Sequence, residues 1–77
     1  MIIPQKEKNE LGKKLRAKRK RLHLSQMQLS EILGITQANI SAYENGKQSP
    51  KKKTLEILNN FILNYWHIFN KLLIYIW

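Results

Sequence analysis

Residues 25–46 read SQMQLSEILGITQANISAYENG, and this stretch decides how the chain folds. Ser25 and Gln28 have the spacing of a capping box, in which each side chain satisfies a free backbone amide of the first helical turn. Gly34 ends this helix, because glycine adopts the left-handed conformation at a helix end without a Cβ penalty. The side chains expected on its buried face are Leu29, Ile32 and Leu33. We therefore predict a helix at about 26–33 with well-defined ends.

A further helix follows after a very short connection. Thr36 is a good N-cap, and the pair Asn45-Gly46 is a second left-handed stop signal. The predicted helix, 37–45, turns Ile40 back toward the preceding helix, so the two share a small apolar core. Two short helices joined by a tight turn that contains glycine have the geometry of a helix-turn-helix.

The sequence before this stretch predicts a first helix. Leu11, Leu15 and Leu22 recur on one face of a helical period, so we expect this helix to begin at Asn9. Residues 1–8 contain a proline and little periodicity, and we interpret them as a flexible arm.

The sequence after the stretch predicts a fourth helix. Ser49-Pro50 has the residue types that favour the N-cap and the first position of a helix. Strands are not expected, because no run of residues alternates apolar and polar side chains between turn residues. The predicted fold class is all-α, a compact helical bundle of four to five helices.

Composition narrows the classes of function. The chain has 77 residues, with 14 Lys and Arg against 5 Asp and Glu, a formal net charge of +9 and no cysteine. This length fits one small domain, and the missing cysteine excludes disulfides, thiolate metal sites and a cysteine nucleophile. The charge favours a polyanionic partner, either nucleic acid or an anionic membrane surface. Residues 1–10 contain no secretory signal, so we expect a cytoplasmic protein.

Residues 11–50, LGKKLRAKRKRLHLSQMQLSEILGITQANISAYENGKQSP, resemble the Cro/repressor-type (Xre-like) helix-turn-helix family. The shared features are the SQxxL start of helix 2, the LGIT turn, the IxxYENG end of helix 3 and the SP pair that follows. The resemblance covers roughly residues 11–61. It implies a lambda-repressor-like DNA-binding domain at 9–63, with helix 3 (37–45) in the major groove of double-stranded DNA.

The exposed face of helix 3 carries short polar and methyl side chains, which reach base edges without bulk. A glutamine amide can donate to and accept from adenine, a bidentate pair worth ~1–3 kcal/mol of discrimination. Gln37 is the strongest candidate for this contact, and alanine methyl groups can contact the methyl of thymine. The predicted base-reading residues are Gln37, Ala38, Asn39, Ser41 and Ala42.

Phosphate contacts are expected beside this helix. The resemblance implies that Gln26 binds both a phosphate and Gln37, and that Asn45 binds the DNA backbone. The loop at 46–49 is expected to add the backbone amide of Gly46. Lysines at 51–53 crowd the start of helix 4, where each cation is unfavourable for folding by ~0.3–1 kcal/mol and a nearby phosphate row would reverse the sign. The predicted phosphate-binding residues are Gln26, Thr36, Asn45, Lys47, Gln48, Lys51 and Lys52.

Glu44 needs a different role, because phosphates would repel an acidic side chain on the reading helix. The corresponding position in the family pairs with an arginine of helix 1, and by offset that arginine is Arg19. We therefore predict a partly buried Arg19–Glu44 ion pair that ties helix 1 to helix 3.

The last residues depart from the family pattern. Residues 64–77 are predicted to form an apolar helical segment, because large side chains recur at the spacings of a coiled-coil seam. The residues expected to contact a dimer mate or partner are Ile62, Tyr65, Phe69, Leu72 and Ile76. A homodimer is the leading interpretation, with its two reading helices roughly 34 Å apart on a pseudo-palindromic site. A protein partner, a membrane surface and the absence of any selected role stay open, whereas the segment is too short for a transmembrane span.

Catalysis has no support in the sequence. The two histidines stand far apart, and the five acidic residues form no pair at catalytic or metal-ligand spacing, so no enzyme, metal or cofactor is expected. One hypothesis is a sequence-specific DNA-binding transcriptional regulator, a repressor that occludes a promoter. The alternative is an antitoxin-like or adaptor protein that binds a partner protein through its apolar C-terminal helix and autoregulates through the same fold.

Overall fold

The structure is a computed structural model that describes residues 4–63. These residues form four α-helices, namely α1 (Gln5–Arg21), α2 (Gln26–Leu33), α3 (Gln37–Glu44) and α4 (Lys52–Leu63). The part of the chain described contains no strand, and the all-α prediction is confirmed. No helix between residues 4 and 63 combines the length and the hydrophobicity that crossing a bilayer requires.

Local capping chemistry sets the ends of α2. Ser25 Oγ accepts the Gln28 amide at 3.0 Å, and Gln28 Oε1 accepts the Ser25 amide at 2.8 Å, so the capping box is complete. Gly34 ends the helix with φ +70°. On the apolar face, Leu29 is buried, but Ile32 is 41% exposed, and its assignment to the core was wrong. Leu33 is partly buried against the core, and Ile32 lies about 100° round the helix from Leu33, at the solvent edge of the apolar stripe.

The ends of α3 are also set by hydrogen bonds between residues that are close in sequence. Thr36 Oγ1 accepts the Asn39 amide at 3.2 Å. At the other end, the Gly46 and Lys47 amides donate to the carbonyls of Tyr43 (3.2 Å) and Ala42 (2.9 Å), which is the Schellman pattern. Gly46 has the left-handed φ of +68° that this pattern requires.

Two predicted helix starts are corrected. Helix α1 begins at Gln5 rather than Asn9, so residues 5–8 form its first turn and not part of a flexible arm. The carbonyl of Pro4 accepts the Lys8 amide at 3.0 Å, and the missing proline amide costs nothing at a helix start.

Helix α4 begins at Lys52, two residues after the predicted start at Pro50. The Lys51 carbonyl accepts the Leu55 amide at 2.7 Å, so Ser49 and Pro50 lie in the connection. Pro50 is buried in this connection and does not take the first position of the helix, which its residue type favours.

Each helix supplies one fully buried aliphatic side chain to the core. These are Leu15, Leu29, Ile40 and Leu58. Burial of one such side chain stabilises the fold by about 1.5–3 kcal/mol. Tyr43 and Phe61 complete the core, and because α3 contributes both Ile40 and Tyr43, its opposite side is directed away from the domain.

Candidate nucleic-acid interface

The outward side of α3 presents the predicted base-reading residues. Gln37 and Ala38 are exposed, and Asn39, Ser41 and Ala42 are partly exposed. Asn45, at the end of the helix, is exposed and donates from Nδ2 to the Ser41 carbonyl at 2.8 Å. This surface is therefore a short row of amide, hydroxyl and methyl groups on a helix that the core holds in place.

A cationic rim follows α3 in the chain. Its members, Lys47, Lys51, Lys52 and Lys53, are all exposed, as is the neutral Gln48 beside them. Lys51 precedes α4 and Lys52 is its first residue, so these cations stand at the positive end of the helix dipole. No acidic residue lies in the first turn of α4 to offset them. The Gly46 amide, expected to bind phosphate, instead donates to the Tyr43 carbonyl.

Arg19 and Glu44 form an ion pair between α1 and α3. Arg19 Nε donates to Glu44 Oε2 at 2.6 Å, and Arg19 Nη2 donates to Glu44 Oε1 at 3.0 Å. Only 10% of the Arg19 side chain and 2% of the Glu44 side chain are exposed. The hydrogen bond to Glu44 raises the pKa of Arg19, so its guanidinium stays charged despite burial. Arg19 Nη1 also donates to the Leu24 carbonyl at 2.8 Å, which fixes the connection between α1 and α2.

The Gln26 side chain is directed at this ion pair. Its Nε2 donates to Glu44 Oε1 at 3.2 Å. The contact with Gln37 that the resemblance implied is absent, since the Gln37 side chain makes no hydrogen bond within residues 4–63. Glu44, already bonded to two nitrogens of Arg19, is the stronger acceptor because it is charged.

Comparison with known proteins identifies the fold family. A family model described as helix-turn-helix matches residues 15–62, more than half of the chain. The chain belongs to the Cro/repressor-type (Xre-like) helix-turn-helix family. Membership confirms the resemblance in the sequence and supports a DNA-binding regulator.

One curated relative of this helix-turn-helix protein is a phage protein. It is the ImmF control region 10 kDa protein of Bacillus phage phi105, 40% identical over 58 residues. The match covers 71% of this chain and 64% of the relative, so the chain spans less than two thirds of that protein. No solved structure gave a match.

A shallow groove lies between α1 and α4 of the helix-turn-helix domain. Leu11, Leu55 and Ile62 line it, and Ile62 is partly buried against the domain's own core. Leu63, which ends α4 beside this groove, is 77% exposed. The other predicted dimer contacts, Tyr65, Phe69, Leu72 and Ile76, lie outside the described residues, as does the segment 64–77.

Three residues of α1 that contact the end of α3 were not predicted from the sequence. Gln5, Asn9 and Gly12 lie at positions i, i+4 and i+7, on one face of α1 that contacts the end of α3. The signal in the sequence was a glycine or an amide side chain at each of these three positions, which share one helical face. The leucine pattern predicts only the neighbouring, apolar face of the same helix.

Proposed function

We propose that this protein is a sequence-specific double-stranded DNA-binding transcriptional regulator that represses by occluding a promoter. The observation that carries the proposal is the exposed row of short side chains on α3 beside the lysine rim at the start of α4. Lysines at that helix end oppose the dipole, and a row of phosphates would make them favourable. The relative's name places that phage protein in a control region, which supports a regulatory role here.

The arrangement supports major-groove recognition by α3. The major groove admits an α-helix, and the side chains at the start of the helix reach base edges. Gln37 is the first residue of α3, and its amide makes no hydrogen bond within residues 4–63, so it is available to pair with adenine. Ala38 and Ala42 offer methyl groups to thymine.

The rim supplies contacts that do not depend on sequence. Lys47, Lys51 and Lys52 would neutralise phosphates and release counterions, so affinity for any duplex falls steeply as salt rises. The uncharged contacts in this proposal come from Gln26, Thr36, Asn45 and Gln48. Selection of bound duplexes from a random pool, followed by affinity measurements across a salt series, tests the function directly. A protein that enriched no sequence and bound no duplex at low salt would contradict it.

Gln37→Ala is expected to reduce sequence preference roughly tenfold, because one bidentate glutamine–adenine pair is worth ~1–3 kcal/mol of discrimination. The measurement is the ratio of affinities for the selected duplex and for one with the contacted base pair changed. An equal loss of affinity for both duplexes would show that Gln37 does not read sequence.

Lys52→Ala is expected to weaken binding to every duplex alike and to reduce the salt slope by about one, since one phosphate contact is lost. The matched control is Lys20→Ala, which removes the same charge from an exposed position on α1. Equal losses in the two variants would mean that only net charge matters, and would contradict the assignment of Lys52 to the interface.

We further propose that the protein acts as a homodimer on two half-sites about one DNA turn, roughly 34 Å, apart. Deletion of residues 64–77 is expected to shift the oligomer toward monomer, as measured by sedimentation. The specific feature behind this expectation is Leu63, which stays 77% exposed where the apolar segment begins. An unchanged dimer would remove the segment from dimerisation and favour the alternative function, an antitoxin-like or adaptor protein that binds another protein through it.

A further inference from the structure

The first turn of α1 is bonded to the loop that follows α3. Gln5 Nε2 donates to the Gly46 carbonyl at 3.0 Å and to Asn9 Oδ1 at 3.0 Å. The bond to Gly46 joins residues 41 positions apart in the chain and is partly buried. Gln5 and Asn9 also lie outside residues 15–62, the part of the chain that the family model matches.

Close packing provides a second, independent observation at the same place. Gly46 is buried, and a Cβ atom added there would overlap Asn9 Oδ1. The Asn9 side chain therefore lies directly against the Gly46 backbone. We call the contact of Gln5 and Asn9 with Gly46 the α1 clasp.

The clasp holds a segment that carries three proposed phosphate contacts. Asn45, Lys47 and Gln48 flank Gly46, and all three are exposed. An exposed loop loses conformational entropy when it binds, unless the folded protein has already ordered it. The Schellman bonds order the amides of this loop from the side of α3, and the clasp orders the Gly46 carbonyl from the side of α1.

We propose that Gln5 and Asn9 are positioning residues for DNA binding, because the α1 clasp orders the 45–48 loop in the geometry that meets the DNA backbone. This inference rests on the proposed function. It assigns a role in phosphate binding to the start of α1, which lies outside the proposed base-reading residues.

Gln5→Met tests the proposal, since methionine has a similar length but no N–H donor. Affinity for every duplex should fall about threefold, with the sequence preference unchanged, because binding must then supply the cost of ordering the loop. The loss should not exceed about tenfold, since the ordering cannot be worth more than the hydrogen bond that provides it. Hydrogen exchange at the Gly46 and Lys47 amides should become faster in the free protein. The matched control is Asn60→Met, at an exposed position on α4 whose side chain makes no hydrogen bond within residues 4–63.

Asn9→Ala is the second variant, because it removes the packing against Gly46 and one acceptor of Gln5, while the Gln5 donor to the Gly46 carbonyl remains. It should change both readouts in the same direction. Wild-type affinity in both variants, measured well below their unfolding temperatures, would overturn the proposal. So would unchanged amide exchange in the loop. If the wild-type protein itself bound no duplex, the proposed function would fail, and the proposal built on it would fall with it, whereas the exchange rates would still report whether the clasp exists.

Discussion

Replacing Arg19 with methionine will lower the free energy of unfolding by about 3–5 kcal/mol, because Glu44 will be left buried without its cationic partner. Glu44 is only 2% exposed, so water cannot substitute for the guanidinium. The amide of Gln26 still reaches Glu44 Oε1 at 3.2 Å, but a neutral amide does not balance a carboxylate charge. The variant also loses the bond from Arg19 to the Leu24 carbonyl.

Thermal unfolding followed by circular dichroism measures this loss. In a domain of this size, 1 kcal/mol corresponds to about 4–8 °C, so the midpoint should fall by at least about 12 °C. The double variant Arg19→Met/Glu44→Leu is the control, since it removes both charges and leaves no buried ion without a partner. It should be more stable than the single Arg19→Met variant. A single variant that unfolded at the wild-type temperature would show that water already solvates Glu44.

The helix ends were predictable wherever the determining chemistry lies within a few residues. The capping box of Ser25 and Gln28, the Thr36 cap and the stop at Gly46 involve neighbours in sequence, so residue type and spacing were sufficient. The outward side of α3 was predictable for the same reason, because Ala38 and Ala42 each lie two residues from the buried Ile40, about 160° round the helix. Gln37 lies only about 60° from Ile40 and is exposed at the first position of the helix.

Features that depend on distant neighbours were not predictable from the residues alone. Helix α1 begins at Gln5, whose side chain bonds Gly46 across the fold. Helix α4 begins two residues after Pro50, which is buried in the connection. Gln26 bonds Glu44 rather than Gln37, and this preference depends on a carboxylate that only the folded chain brings near. The Arg19–Glu44 pairing was inferred from the family resemblance, since no local pattern joins residues 25 positions apart.

A methyl group at Gly12 will have the second large effect on stability. Gly12 is buried in α1 where that helix crosses the end of α3, and an added Cβ would lie 2.5 Å from the Tyr43 carbonyl oxygen and 2.6 Å from that of Glu44. Both atoms are backbone, so α1 and α3 must separate to admit the methyl group. We expect Gly12→Ala to lower the free energy of unfolding by about 3 kcal/mol, the upper part of the range for overpacking.

The sign of the stability change in Gly12→Ala distinguishes the close approach of the helices from helix propensity alone. Helix propensity alone favours alanine over glycine by about 1 kcal/mol, so without the close approach Gly12→Ala would stabilise the protein. Ala17→Gly, at an exposed position of the same helix, is the reverse exchange and should cost only about 1 kcal/mol. A Gly12→Ala variant more stable than wild type would show that α1 does not lie against the Tyr43 and Glu44 carbonyls.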